Sequence, residues 1–188
     1  MARLPYVNMK RADGFAIELL GRVQDRQGVL PNLHRILAQS PGVLGGILDL
    51  ERKVRAGTLD ATLREIAALR IARLSGNPYA IHHATADARR AGVSDRAIEE
   101  IDRCDSSDAF GPRERAVLRY ATEWASAEGA SEGSVAALGL QLSAGQQVDL
   151  NAAIGLAFFA SRMAKAYRIE LESETPAEET GAGKTGCA

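Results

Sequence analysis

Residues 63–83 read LREIAALRIARLSGNPYAIHH, and the chain continues ATADARRAGVSD to Asp95. Leu63, Ile66, Ala67 and Leu74 recur at helical spacing, with Asp60 placed as the N-cap. Ser75-Gly76 ends that helix. Asn77-Pro78 breaks it again, and Pro78 suits the first turn of the next one. That second helix runs to Ala91-Gly92, where glycine can close it, and Ser94 caps a short helix ending near Arg103. The same period extends in both directions. Upstream, Phe15, Leu19, Leu20 and Val23 mark a helix over about 12–27. Pro31 opens another with Leu33, Ile36 and Leu37, and Leu44, Ile47, Leu48 and Leu50 mark a third after Ser40-Pro41-Gly42. Downstream, 104–111 reads as a loop. Pro112 opens a helix with Val117, Leu118, Tyr120 and Ala121, and two more follow over about 132–142 and 146–168. No segment alternates as a strand would. The expectation is an all-α domain of about eight or nine helices.

Composition narrows the possible partners. The chain has 188 residues, of which 46% are hydrophobic and only 5% aromatic, so aliphatic residues and alanine must build the core. Lys and Arg number 23 against 24 Asp and Glu, a net charge of -1, which provides no field for nucleic acid or a membrane surface. Cys104 and Cys187 are too far apart in sequence to suggest a disulfide framework or a metal site, so a reducing, cytoplasmic setting is expected. The longest apolar run, 152–160, is too short to span a bilayer, and no apolar run at the start suggests a signal peptide. After Glu172 the sequence SETPAEETGAGKTGCA lacks apolar periodicity. The helical domain is therefore expected over 1–171, with a disordered tail over 172–188. Gly181-Ala182-Gly183-Lys184-Thr185 is similar to the end of a phosphate loop. Glu178 stands where that loop needs its first glycine, and neither a strand before nor a helix after is in prospect.

The 63–95 stretch resembles the core motif of the carboxymuconolactone decarboxylase and alkylhydroperoxidase D-like superfamily. That motif has a glutamate on one helix and, twelve residues later, the first cysteine of Cys-x-x-Cys at the start of the next. A histidine lies four residues past the second cysteine. The resemblance extends from about Leu30 to Glu172 and implies an alkylhydroperoxidase D-like helical fold. By this resemblance Glu65 is the family glutamate. Asn77 and Ala80 stand at the two cysteine positions, and Ala84 at the histidine position. His83 matches the first histidine of a His-His pair in longer, cysteine-poor members, and Tyr79 fills a slot where tyrosine is common. It further implies a homo-oligomer of trimer or hexamer type.

The chemistry follows from the missing thiols. A peroxidatic cysteine must be a thiolate with a resolving thiol beside it, and neither Asn77 nor Ala80 can serve. What remains is an acid–base set of Glu65, His83, Tyr79 and His82 that needs no metal or organic cofactor. Partial burial suits Glu65 for proton exchange near neutral pH. Asp87, four residues past His83, is in reach to hydrogen-bond the ring and fix its tautomer. Asn77, Arg70 and Arg73 are the candidates to hold a small-molecule substrate, the arginines through its carboxylate. The expected activity is decarboxylation, isomerisation, dehydration or ring opening of a small organic acid or lactone. A competing reading is a non-catalytic ligand-binding or structural oligomer. In that case Glu65 merely pairs with Arg64, Arg70 or Arg73, and His83 is a satisfied interhelical histidine. A weaker alternative is a redox role for Cys104.

Overall fold

The computed structural model describes residues 1–10 and 12–172. Among them are nine α-helices and no strand: α1 Gly14–Gln27, α2 Asn32–Leu37, α3 Pro41–Ala56, α4 Ala61–Ser75, α5 Pro78–Arg90, α6 Asp95–Glu100, α7 Pro112–Trp124, α8 Glu132–Gly139 and α9 Ala144–Tyr167. A 3₁₀ turn, Ile101–Arg103, extends α6. The expected disordered tail and its Gly181–Thr185 run lie outside the described residues, apart from Glu172.

α4 is the central helix, packed along α9 and against α5 and α7. Its Leu63, Ile66, Ala67, Leu69 and Ile71 meet Ala88 of α5, Val117, Leu118 and Ala121 of α7, and Leu150 and Ile154 of α9. A smaller apolar cluster joins Leu19 and Leu20 of α1 to Leu37 and Leu44. No helix among the described residues is long and apolar enough to cross a membrane.

Local signals set the joint between α4 and α5. Asp60 caps α4 through the Thr62 amide, and Gly76 closes it at φ 63°, a conformation costly for residues with a Cβ. The Asn77 side chain then accepts the Ala80 amide and caps α5, with Pro78 in the first turn. Three of the apolar residues that mark the helical period are exposed: Leu74, Phe15 and Leu50. α4 is surrounded on several sides, so its buried set runs nearly round the helix and its last turn projects into solvent. One apolar stripe does not describe such a helix.

After α9 the chain reverses at Arg168 (φ 51°) and runs back over α2. The Ile169 amide donates to Ala164 O at 2.9 Å, and Asn32 Nδ2 donates to Glu170 O at 3.0 Å. This short strap carries Glu172 onto the body of the fold.

Candidate active site

A cavity of about 170 Å³ opens between α2, α3, α4, α5 and α9. Small apolar side chains form much of its wall: Ala68 and Ala72 from α4, Ala80 and Ala84 from α5, Ala153, Ala157 and Ala160 from α9. Its polar lining includes Arg64, Glu65, Tyr79, His83, His34 and Ser161, with Gln27, Glu51, Arg55 and Asp87 around them.

Glu65 is 8% exposed and carries its own counter-charge, since Arg64 Nε donates to Glu65 Oε1 at 2.9 Å. Of the arginines considered as partners, the adjacent one is therefore the one engaged. His83 Nε2 lies 2.9 Å from Glu172 Oε2. The other carboxylate oxygen, Oε1, accepts from the Asn32 amide at 2.6 Å and from the Tyr79 hydroxyl at 3.1 Å. Burial pushes Glu172 up, but the hydrogen bonds from His83, the Asn32 amide and its own amide together bring it down to about 2. It is thus a carboxylate at neutral pH, an acceptor only, so the bond places the proton of a neutral His83 on Nε2 and leaves the lone pair on Nδ1. Tyr79 also accepts the Leu33 amide at 3.0 Å. Burial, then the Glu172 charge, pushes its phenol far up, so it stays protonated.

The expected His83–Asp87 hydrogen bond does not form. Asp87 pairs with Arg90, a charged partner one turn on, while the strap gives His83 a carboxylate of its own. His82 is exposed on the outer face of α5, edge-on to His83 at 5.3 Å between ring centroids, and does not line the cavity. Nor does Asn77, whose side-chain oxygen is used as the α5 cap. Arg70 and Arg73 point to another face. Arg70 donates to Thr122 Oγ1 at 2.9 Å and to Asp102 at 2.7 Å, and Arg73 lies 3.9 Å from the same aspartate. The arginines that reach the cavity are Arg64 and Arg55.

His34, Glu51, Ser161 and Glu172 were not singled out from sequence. His34 lies three residues before Leu37 on the inward face of α2, so its burial was legible from spacing. Glu172 offered no such sign. Its partners Tyr79 and His83 are 93 and 89 residues away, and its own neighbourhood is polar. Cys104 is buried away from the cavity, beside Arg70 and Arg119, and burial pushes its thiol up.

The fold and the α4–α5 site define an alkylhydroperoxidase D-like helical domain. The Carboxymuconolactone decarboxylase family model matches residues 41–123, which include α4, α5 and the joint between them. Over those residues the chain is similar to the carboxymuconolactone decarboxylase family, and it has the alkylhydroperoxidase D-like fold. Two solved structures share its fold. An uncharacterized peroxidase-related protein with an alkylhydroperoxidase AhpD core, from Ralstonia eutropha JMP134, aligns with a TM-score of 0.80 at 20% identity, covering 92% of this chain and 93% of that one. A variant of the debrominase Bmp8 in complex with 2,3,4-tribromopyrrole aligns with a TM-score of 0.78 at 18% identity, covering 92% and 95%. Among curated sequences, the uncharacterized protein YdfG of Bacillus subtilis (strain 168) is 26% identical over 72 residues, 38% of this chain and 49% of that protein. The match thus spans about half the length of that relative.

Proposed function

We propose that the protein is a cofactor-independent acid–base enzyme acting on a small organic acid, lactone or related carbonyl compound. One observation carries the reading: Glu65 of α4 and His83 of α5, on consecutive helices, line one small cavity with apolar walls. Glu172 holds His83 by Nε2, which makes Nδ1 the atom that takes a proton from the carbon beside a carbonyl. The electron pair left behind moves onto the carbonyl oxygen, and returning the proton to another carbon completes an isomerisation. In a decarboxylation the carbon–carboxylate bond breaks instead and releases carbon dioxide, its electron pair enters the enolate, and a proton taken up from solvent is passed to carbon through Glu65 or His83. Arg64 and Arg55 provide positive charge for a substrate carboxylate. Tyr79, whose hydroxyl both donates and accepts within the site, acts in this scheme by fixing Glu172.

The test is hydrogen–deuterium exchange of C–H bonds in a panel of small keto acids and lactones, followed by NMR. Exchange or turnover should fall at least about 10²-fold in Glu65→Gln and in His83→Ala, with circular dichroism unchanged. Full activity in both variants removes the reading, and so does reduction of organic peroxides at the expense of a dithiol.

A second reading has its own support. Glu65 is neutralised by Arg64, and His83 and Tyr79 are tied to Glu172, as in a site kept for binding or for the fold alone. A non-catalytic ligand-binding or structural oligomer would bind members of the panel, or none, and exchange no proton. Self-association fits either reading, and light scattering gives the subunit number. Peroxidase chemistry at Cys104 is the weakest reading, because its thiol is buried and no second cysteine among the described residues stands beside it.

A further inference from the structure

The wall of the cavity formed by α2 and α9 holds two polar side chains that no hydrogen bond from the described residues satisfies. His34 is 6% exposed and Ser161 is 1% exposed, and both line the cavity. Among the described residues, neither ring nitrogen of His34 nor the Ser161 hydroxyl has a hydrogen-bond partner. Glu51 Oε1 lies 3.9 Å from His34 Nε2, beyond hydrogen-bond reach, and the other oxygen of Glu51 is held by Arg26 at 3.1 Å. A helical serine commonly turns back onto the carbonyl four residues earlier, and Ser161 does not. Buried polar groups without partners are costly and rare, and two lining one cavity mark where a ligand's polar atom sits.

We infer that His34 and Ser161 form the oxygen-binding end of the cavity, donating hydrogen bonds to the carbonyl oxygen of a small ketone- or lactone-type ligand. The choice of a carbonyl ligand rests on the acid–base reading above. Burial, reinforced by the charge of Arg26, pushes His34 down to about 4, so at neutral pH its ring is uncharged, with one N–H to give. An imidazole N–H and a hydroxyl are donors of the kind that hold a carbonyl oxygen and stabilise it as an enolate. Ala68, Ala72, Leu156 and Ala157 supply apolar wall for the carbon skeleton.

The test uses cyclohexanone and methylenecyclohexane, near-isosteres that differ at the oxygen, with binding measured by calorimetry and NMR at neutral pH. The unaltered protein should bind the ketone about tenfold more tightly, the worth of one or two buried hydrogen bonds. The carbonyl ¹³C resonance of the bound ketone should move downfield. Ser161→Ala and His34→Phe should each reduce the preference and the shift. Ser161→Ala removes one oxygen atom, so the question stays answerable if His34→Phe fails to fold. Binding is read without turnover, so a protein that exchanges no proton yet prefers the ketone would remove the proton-transfer scheme and leave this assignment standing. Equal binding of the two probes, binding of neither, or a preference untouched by Ser161→Ala would overturn the assignment.

Discussion

His34 and Glu172 should make the stability of this protein depend on pH in two overlapping windows. His34 is lowered from 6.5 to about 4 in the folded chain. Above pH 6.5 it is neutral folded or unfolded and has no effect. Between 6.5 and about 4 the unfolded chain binds a proton that the folded chain refuses, so stability falls as the pH drops. Glu172 is lowered from 4.5 to about 2, so its contribution is complete above pH 4.5 and is lost as the pH falls through 2. Melting temperatures at stepped pH should therefore decline from about 6.5 downwards. His34→Phe should flatten the upper window and leave the lower one, and Glu172→Gln should do the reverse. An unchanged profile in both variants would show that other groups carry the acid sensitivity. Glu65 and His83 were legible as candidates because each sits at helical spacing inside a recognisable motif. The carboxylate that orients His83 was not, since nothing local to Glu172 distinguishes it from the polar residues around it.

Asn77 shows how one side chain serves an element and not the cavity beside it. Its carboxamide oxygen accepts the Ala80 amide at 3.0 Å, satisfying one of the donors left open at the start of α5. Asn77→Ala should cost about 1 kcal/mol, lowering the melting temperature by about 2–4 °C, with proton exchange unchanged. Asn77→Ser should recover most of the loss. A fall in activity without a fall in stability would instead assign Asn77 to substrate. The helix ends around the site follow the same local rules: Asp60 and Ser94 cap, Gly76 and Gly92 close at positive φ, and Pro78 and Pro112 open. These signals depend on a few neighbouring residues and are readable without the fold. Which face of α4 is buried was less so, because a helix packed on several sides has no single apolar stripe, and Leu74 ended up exposed.

Stability and site geometry both depend on α4. Leu69 is fully buried at its centre, where α4 lies between α7 and α9. Leu69→Ala should cost about 2–5 kcal/mol, a large share of the 5–15 kcal/mol typical of a domain, and chemical denaturation would measure it. A loss below about 1 kcal/mol would mean that the neighbouring helices close over the gap. α4 also carries Arg64 and Glu65 into the cavity and turns Arg70 and Arg73 to the far side, where Asp102 and Thr122 take them. On its own, the amino-acid sequence determined the all-helical class, the α4–α5 joint, the resemblance to one family's core motif and the lack of a Cys-x-x-Cys pair, because periodicity, capping and motif spacing act over a few turns of chain. Only the tertiary structure decided which polar groups meet. The strap that brings Glu172 to His83, the pairing of Asp87 with Arg90, and the placing of His34 and Ser161 on one wall depend on side chains far apart in sequence, or on competition between partners that spacing alone cannot rank.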